Sequence, residues 1–167
     1  MEMSNVEQSQ DMEKASSERF LSFSLGQEEY AMPLLKVREV IAMPEVTPIP
    51  QTPSFFLGIM NLRGQVISIL DLRTKLGIKP ANGSETAVII CELSPVCLGV
   101  VVDSVNAVLS PKAGEISGKP DAQMNKNTDY ITGVYRREKS LVLFLDIAKT
   151  LDVKQMEMVQ NAAKAAA

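Results

Sequence analysis

The sequence contains no histidine and no tryptophan, and only two of its 167 residues are cysteine. Without histidine there is no Ser-His-Asp or Cys-His nucleophile, no His-ligated zinc, no HExxH and no imidazole to carry a proton or a phosphoryl group. Any chemistry would rest on lysine, tyrosine or carboxylates. Cys91 and Cys97 cannot complete a tetrahedral zinc site, and their spacing is not that of a CxxC redox pair. Both lie in apolar surroundings and are read as buried free thiols of a reducing compartment, with a bridge between adjacent strands as the alternative. An excess of one charge is missing too: 17 Lys+Arg stand against 20 Asp+Glu. Residues 1–19 hold five of the acids (Glu2, Glu7, Asp11, Glu13, Glu18) and two bases (Lys14, Arg19), so the rest of the chain carries 15 of each sign. A neutral body lacks the basic stripe that a phosphate backbone demands, which argues against nucleic acid. Long apolar runs are absent: Leu141-Val142-Leu143-Phe144-Leu145 is strand length, far short of a membrane span. No basic stretch followed by an apolar one opens the chain. The expectation is a soluble cytoplasmic protein without direct membrane insertion.

What is present is a chain that is 46% hydrophobic and 22% charged. At this length it buries roughly 70% of its unfolded surface, as one domain or as two small units sharing a core. Residues 1 to 18 are rich in Gln, Ser and Glu and read as a disordered polar leader. From Phe20 onward short β-type runs follow one another: Phe20–Leu25, Glu29–Met32, Arg38–Met43, Ile59–Leu62, Val66–Leu70, Ala87–Leu93, Leu98–Val102, Val105–Leu109, Ile131–Tyr135 and Leu141–Leu145. Gly, Pro or Asn separates many of them, and no helix of a dozen residues lies between them. Barrels or a sandwich follow from that pattern. Helices are expected to be short. Pro33 suits a first helical position, with Leu34, Val37 and Ile41 on one face. Asp71 and Asp146 are each placed to cap a turn, the first stopped by Gly77. Asp152 with Gln155 resembles a capping box opening a last helix through Met156, Val159 and Ala163, in a tail of residues 153–167.

The chain also repeats itself. A shift of 75 lays Gly58 on Gly133, Val66 on Leu141, Ile69 on Phe144, Asp71 on Asp146 and Leu76 on Leu151, without a gap. A shift of 68 lays Leu25 on Leu93, Met32 on Val100, Val37 on Val105 and Val40 on Val108. Duplication predicts two similar small β-barrels. Three carboxylates deserve testing as acid/base groups: Asp71 and Asp146, better explained as caps, and Asp103, better explained as a strand end. No lysine or tyrosine is paired with them in sequence, and no phosphate-binding glycine loop is present. Arg63-Gly64, between two apolar strands, occupies a hairpin tip with Gly64 supplying positive φ. Arg63 is either a solvated turn residue or a bidentate donor to a partner's carboxylate or carbonyl, and Glu39 shares that ambiguity.

In these residues the chain resembles the CheW family of bacterial chemotaxis coupling proteins, from about Phe20 to Leu151. The likeness is carried by Phe20-Leu21-Ser22-Phe23-Ser24-Leu25-Gly26, Glu28-Glu29-Tyr30, Leu35-Lys36-Val37-Arg38-Glu39-Val40 and Gly58-Ile59-Met60-Asn61-Leu62-Arg63-Gly64. Ile69-Leu70-Asp71-Leu72-Arg73 and Leu98-Gly99-Val100-Val101-Val102-Asp103 extend it. The resemblance implies two five-stranded SH3-like β-barrels around a shared core within residues 19–152. It implies a non-catalytic adaptor, without cofactor or metal, situated at receptor clusters on the inner face of the membrane. The partners implied are the cytoplasmic tips of chemoreceptors (methyl-accepting chemotaxis proteins) and the regulatory domain of the histidine kinase CheA. Carried over by motif, Val37, Glu39, Gly58, Arg63, Gly99, Val105 and Val108 are candidates for the partner-facing surface. The valines have an alternative as plain core, and the glycines as positions required by backbone conformation or close packing. Two rival readings differ in kind. One is a coupling module from a receiver-fused or kinase-fused protein, though the chain shows neither an acidic receiver pocket nor an ATP site. The other is a small-barrel enzyme using carboxylates, which requires a close pair of buried acids with raised pKa facing an open pocket.

Overall fold

The computed structural model describes residues 18–81, 83–118 and 129–166. Eleven strands dominate the described residues: β1 Phe20–Leu25, β2 Glu28–Pro33, β3 Val37–Ala42, β4 Phe56–Leu62, β5 Gln65–Asp71, β6 Ala87–Glu92, β7 Cys97–Val102, β8 Ser104–Leu109, β9 Ile116–Ser117, β10 Ile131–Arg137 and β11 Ser140–Leu145. Among the described residues helix is confined to α1 (Leu72–Lys75), α2 (Val153–Ala165) and two 3-10 turns, Leu34–Lys36 and Ile147–Thr150. Ten strands coincide, within a few residues, with the apolar runs; β9 is too short to carry a period. The leader expected over residues 1 to 18 lies almost wholly outside the described residues.

The strands form two sheets, ordered β8-β1-β2-β11-β10-β9 (sheet I) and β3-β6-β7-β5-β4 (sheet II). The repeat is visible in this order. Exchanging β1 with β6, β2 with β7, β3 with β8, β4 with β10 and β5 with β11 turns one sheet into the other, apart from the short β9. Even the irregularities correspond. Arg38 is bulged out of the β3–β6 pairing, and Asn106, 68 residues later, is bulged out of β8–β1. Leu57 is bulged from β4–β5, and Thr132, 75 residues later, from β10–β11. Neither sheet belongs to one repeat, however. Each takes strands from both, so the duplicated halves are interleaved and neither is complete alone.

Both sheets close on themselves. The chain leaving edge strand β3 returns to the opposite edge β4 through an antiparallel bridge, Thr47 to Ile59. The chain leaving β8 does the same through β9, whose Ser117 pairs with Val134 of β10. Gly58 and Gly133 sit beside these closures. A Cβ on Gly58, at φ +142°, would stand 2.0 Å from the Thr47 carbonyl oxygen, and one on Gly133 would stand 3.0 Å from the Ser117 carbonyl oxygen.

Alternation then sorts the apolar residues into three cores. Phe20, Ala31, Leu109, Val142 and Phe144 fill sheet I, with the Phe20 and Phe144 rings stacked at 4.4 Å. Met60, Ile67, Ile69, Val88, Ile90 and Val101 fill sheet II. The opposite faces of the same strands, including Phe23, Leu25, Met32, Ile89, Leu98, Val100 and Leu145, pack into one large core between the sheets. Helix α2 opens on the expected capping box, Asp152 accepting from the Gln155 amide and Gln155 accepting from the Asp152 amide. It seals the shared core with Val159, and the buried Ser68 hydroxyl of β5 donates to the Val159 carbonyl at 2.8 Å.

Three local expectations are corrected. The helix proposed from Pro33 to Ile41 stops after Lys36, because Val37 enters β3, where pairing to β6 takes its backbone. Asp146 makes no side-chain cap, since the turn it opens is a 3-10 turn without an amide aimed at the carboxylate. Both cysteines are free, but only Cys91 is buried; Cys97 is half-buried at the start of β7.

Candidate functional site

β3 and the β4–β5 hairpin are neighbours in space although they flank sheet II, because that sheet closes. The hairpin turns through Arg63 (φ 49°) and Gly64 (φ 90°), two left-handed residues, and the Asn61 side chain accepts from the Gly64 amide at 2.8 Å. This turn aims the Arg63 guanidinium back across the barrel mouth, where it donates to Glu39 of β3 in an ion pair. Glu39 lies on the same strand face as Ile41, which packs against the sheet II core with Leu62. The ion pair therefore stands at the rim of that core. Beside it Arg38 donates to Gln65 Oε1 at 2.7 Å and faces Glu92 Oε1 at 3.9 Å. Val40 (41% exposed), on the other face of β3, and Met43 (43%), which follows the strand, are exposed apolar side chains of the same edge. Interleaved apolar contact area with charges of both signs at its margin suits recognition of another protein.

The other candidates fall elsewhere. Gly58 is buried beneath the hairpin and offers backbone proximity to Thr47 instead of surface. Gly99 is buried inside sheet II, where a Cβ would meet Ile69 Cδ1 and Val88 Cγ1 at 2.7 Å each, so close packing accounts for it. Val37 and Val105, at equivalent positions on β3 and β8, are half-buried against the shared core. Val108 is 49% exposed on β8, the counterpart of Val40 on the other sheet. Thus Glu39 and Arg63 are brought together on sheet II, whereas Val105 and Val108 belong to sheet I.

The carboxylates resolve into a different constellation. Arg73 is 4% exposed. Its Nε and Nη2 donate to the two oxygens of Asp71 at 3.0 and 3.1 Å, and its Nη1 donates to Asp103 Oδ1 at 2.8 Å. Asp71 also caps α1, accepting from the Arg73 and Thr74 amides. Asp103 accepts from the Gly26 and Ala81 amides at 2.6 and 3.1 Å. Burial pushes the Asp103 carboxyl up, but the Arg73 hydrogen bond and the two amides outweigh it and hold the group below its ordinary value. Asp71 raises the Arg73 pKa further. Asp103, neutralised by the guanidinium and held ionised, offers no proton for general acid catalysis. Sequence reasoning assigned Arg73 no role, although an arginine directly after an apolar strand and its cap is a signal for a buried pair. It also passed over Arg38 and Val40. Among the described residues no group of His, Cys, Asp or Glu is arranged to hold a metal ion, and no helix is long and apolar enough to cross a membrane.

The CheW-like domain family matches residues 19–155, the whole two-sheet body. The chain belongs to the CheW family. It is 38% identical over 148 residues to a chemotaxis protein CheW of Klebsiella aerogenes, covering 88% of this chain and 89% of that one. It is 28% identical to a chemotaxis protein CheW of Treponema pallidum, covering 86% and 87%. Among solved structures it is similar to the scaffolding protein CheW of Thermoanaerobacter tengcongensis, with a TM-score of 0.75, 28% identity, and coverage of 83% of this chain and 95% of that one. A chemotaxis scaffold is what these likenesses support.

Proposed function

We propose that this chain is a non-catalytic adaptor that couples chemoreceptor tips to the histidine kinase CheA at receptor clusters. The observation that carries the reading is the family match along the entire two-sheet body, residues 19–155. The edge of sheet II around Glu39, Arg63, Val40 and Met43 supports it, with exposed apolar side chains and charges of both signs. In this reading the rim of sheet II engages one partner through mixed apolar and charged contacts. A groove between the barrels receives an amphipathic receptor helix. By holding receptor and kinase in one geometry, the adaptor lets a receptor shift change kinase activity without chemistry of its own. Within the reading Glu39 and Arg63 set polarity at the rim, Val108 contributes apolar area on sheet I, and Val37 and Val105 support the edge strands from beneath.

The test is reconstitution of receptor fragment, kinase and this protein, with kinase autophosphorylation as readout. Leaving this protein out should abolish receptor control of the kinase. Receptor control that persists unchanged without it would overturn the proposal.

A further inference from the structure

The two repeats place different side chains at the same point of the fold. In the first, Arg73 reaches from the turn after β5 to Asp71 and Asp103. In the second, Asp146 takes the place of Asp71, Ala148 that of Arg73 and Leu35 that of Asp103. Where the arginine would lie there is a cavity of about 230 Å³, walled by Met32, Leu93, Leu145, Ile147 and Ala148, with Asp146 on its lining. The Asp146 carboxylate caps nothing and has no ion-pair or hydrogen-bond partner among the described residues. Leu35, at 94% exposure, leaves the side that Asp103 closes in the first repeat.

We infer that this cavity receives an arginine side chain from a protein partner, in the manner in which the first repeat holds its own Arg73. The cavity exceeds the roughly 150 Å³ that suffices to take up a benzene molecule in a protein core, so an aliphatic stem and a guanidinium fit. The apolar walls take the stem, and Asp146 takes the planar fork in two parallel hydrogen bonds. Lys36 also lines the cavity, and its like charge opposes any cation there. The planar guanidinium fork matches the carboxylate in two hydrogen bonds and is more weakly hydrated than an ammonium, so an arginine is preferred over a lysine. This contact is separate from the Glu39–Arg63 rim and stands whether or not the coupling proposal does.

The experiment uses the full chain and butylguanidinium as probe, followed by two-dimensional NMR. Saturable shifts are expected at Met32, Leu145, Asp146, Ile147 and Ala148, with butylammonium binding more weakly. Asp146→Asn, which keeps the shape and removes the charge, should weaken binding about tenfold. Ala148→Arg should supply the guanidinium from the chain itself and abolish probe binding in a folded protein. Should that variant fail to fold, Asp146→Asn decides alone. Absence of saturable shifts at these residues, or binding that Asp146→Asn leaves unchanged, would overturn the inference.

Discussion

The two repeats share a backbone down to their bulges, yet they settle one corner in opposite ways. At the end of β5 the first holds a guanidinium between two carboxylates; at the end of β11 the second has alanine, a solitary carboxylate and a cavity. Strand register and turn geometry thus preserve a duplicated frame, while the chemistry at a given corner is free to diverge. The ion cluster ties the end of β5 to the β1–β2 turn at Gly26 and to Ala81 in the linker between the repeats. Breaking it should have the largest effect on the molecule. Arg73→Met leaves Asp71 and Asp103 buried without their cation, at a cost of about 3–5 kcal/mol. Asp146→Asn at the corresponding corner removes no pairing and should stay within about 0.5 kcal/mol. Urea unfolding of both variants checks the contrast, which fails if the two lose equal stability.

The same cluster predicts a limb in acid. Asp103 is held below its ordinary pKa in the folded chain. Its contribution is therefore present above the usual carboxylate range near pH 4 and is lost as pH falls through the lower folded value. Asp103→Asn should flatten this limb. A stability curve of unchanged steepness in that variant would show that other carboxylates carry it.

The barrel closures offer the next contrast. Gly58 has positive φ and backbone against its missing Cβ at 2.0 Å, whereas Gly133 meets its nearest atom at 3.0 Å and its φ lies outside the left-handed region. Gly58→Ala must open the Thr47–Ile59 bridge and should cost about 3 kcal/mol. Gly133→Ala needs only a small yielding and should cost about 1 kcal/mol. Thermal unfolding of the pair is the check. Equal losses would mean that the two closures are equally tight, contrary to the geometry.

What could be seen in advance follows from which forces are local. Apolar alternation is written along the chain, so ten strands and the Asp152–Gln155 cap were legible. So was the duplication, because Gly58–Leu76 and Gly133–Leu151 align without a gap. The interleaving of the repeats was not: two sheets of one repeat each satisfy the same alternation, and only long-range pairings such as β1 with β8 and β2 with β11 decide. Gly58 and Gly99 were ambiguous because a glycine records that space is short without recording what fills it. The Arg73 cluster was hidden because its acids, Asp71 and Asp103, lie 32 residues apart and meet only in the fold. Arg63 and Glu39, 24 residues apart, met for the same reason.

The smallest effect on stability is expected where the proposed function is concentrated. Arg63 sits at the tip of the β4–β5 hairpin, and Glu138 holds the corresponding tip of β10–β11, also at positive φ. Among the described residues the first tip alone has an ion-pair partner; the position equivalent to Glu39 is Ala107. The Arg63 side chain is 67% exposed, so solvent screens the pair, and its loss should cost no more than about 0.5 kcal/mol. Arg63→Ala should accordingly leave thermal unfolding nearly unchanged while weakening binding to a receptor or CheA fragment. Glu138→Ala should change neither. A large loss of stability in Arg63→Ala would assign the arginine to the fold of sheet II. Equal binding losses in the two variants would remove the distinction between the hairpins on which the rim of sheet II rests.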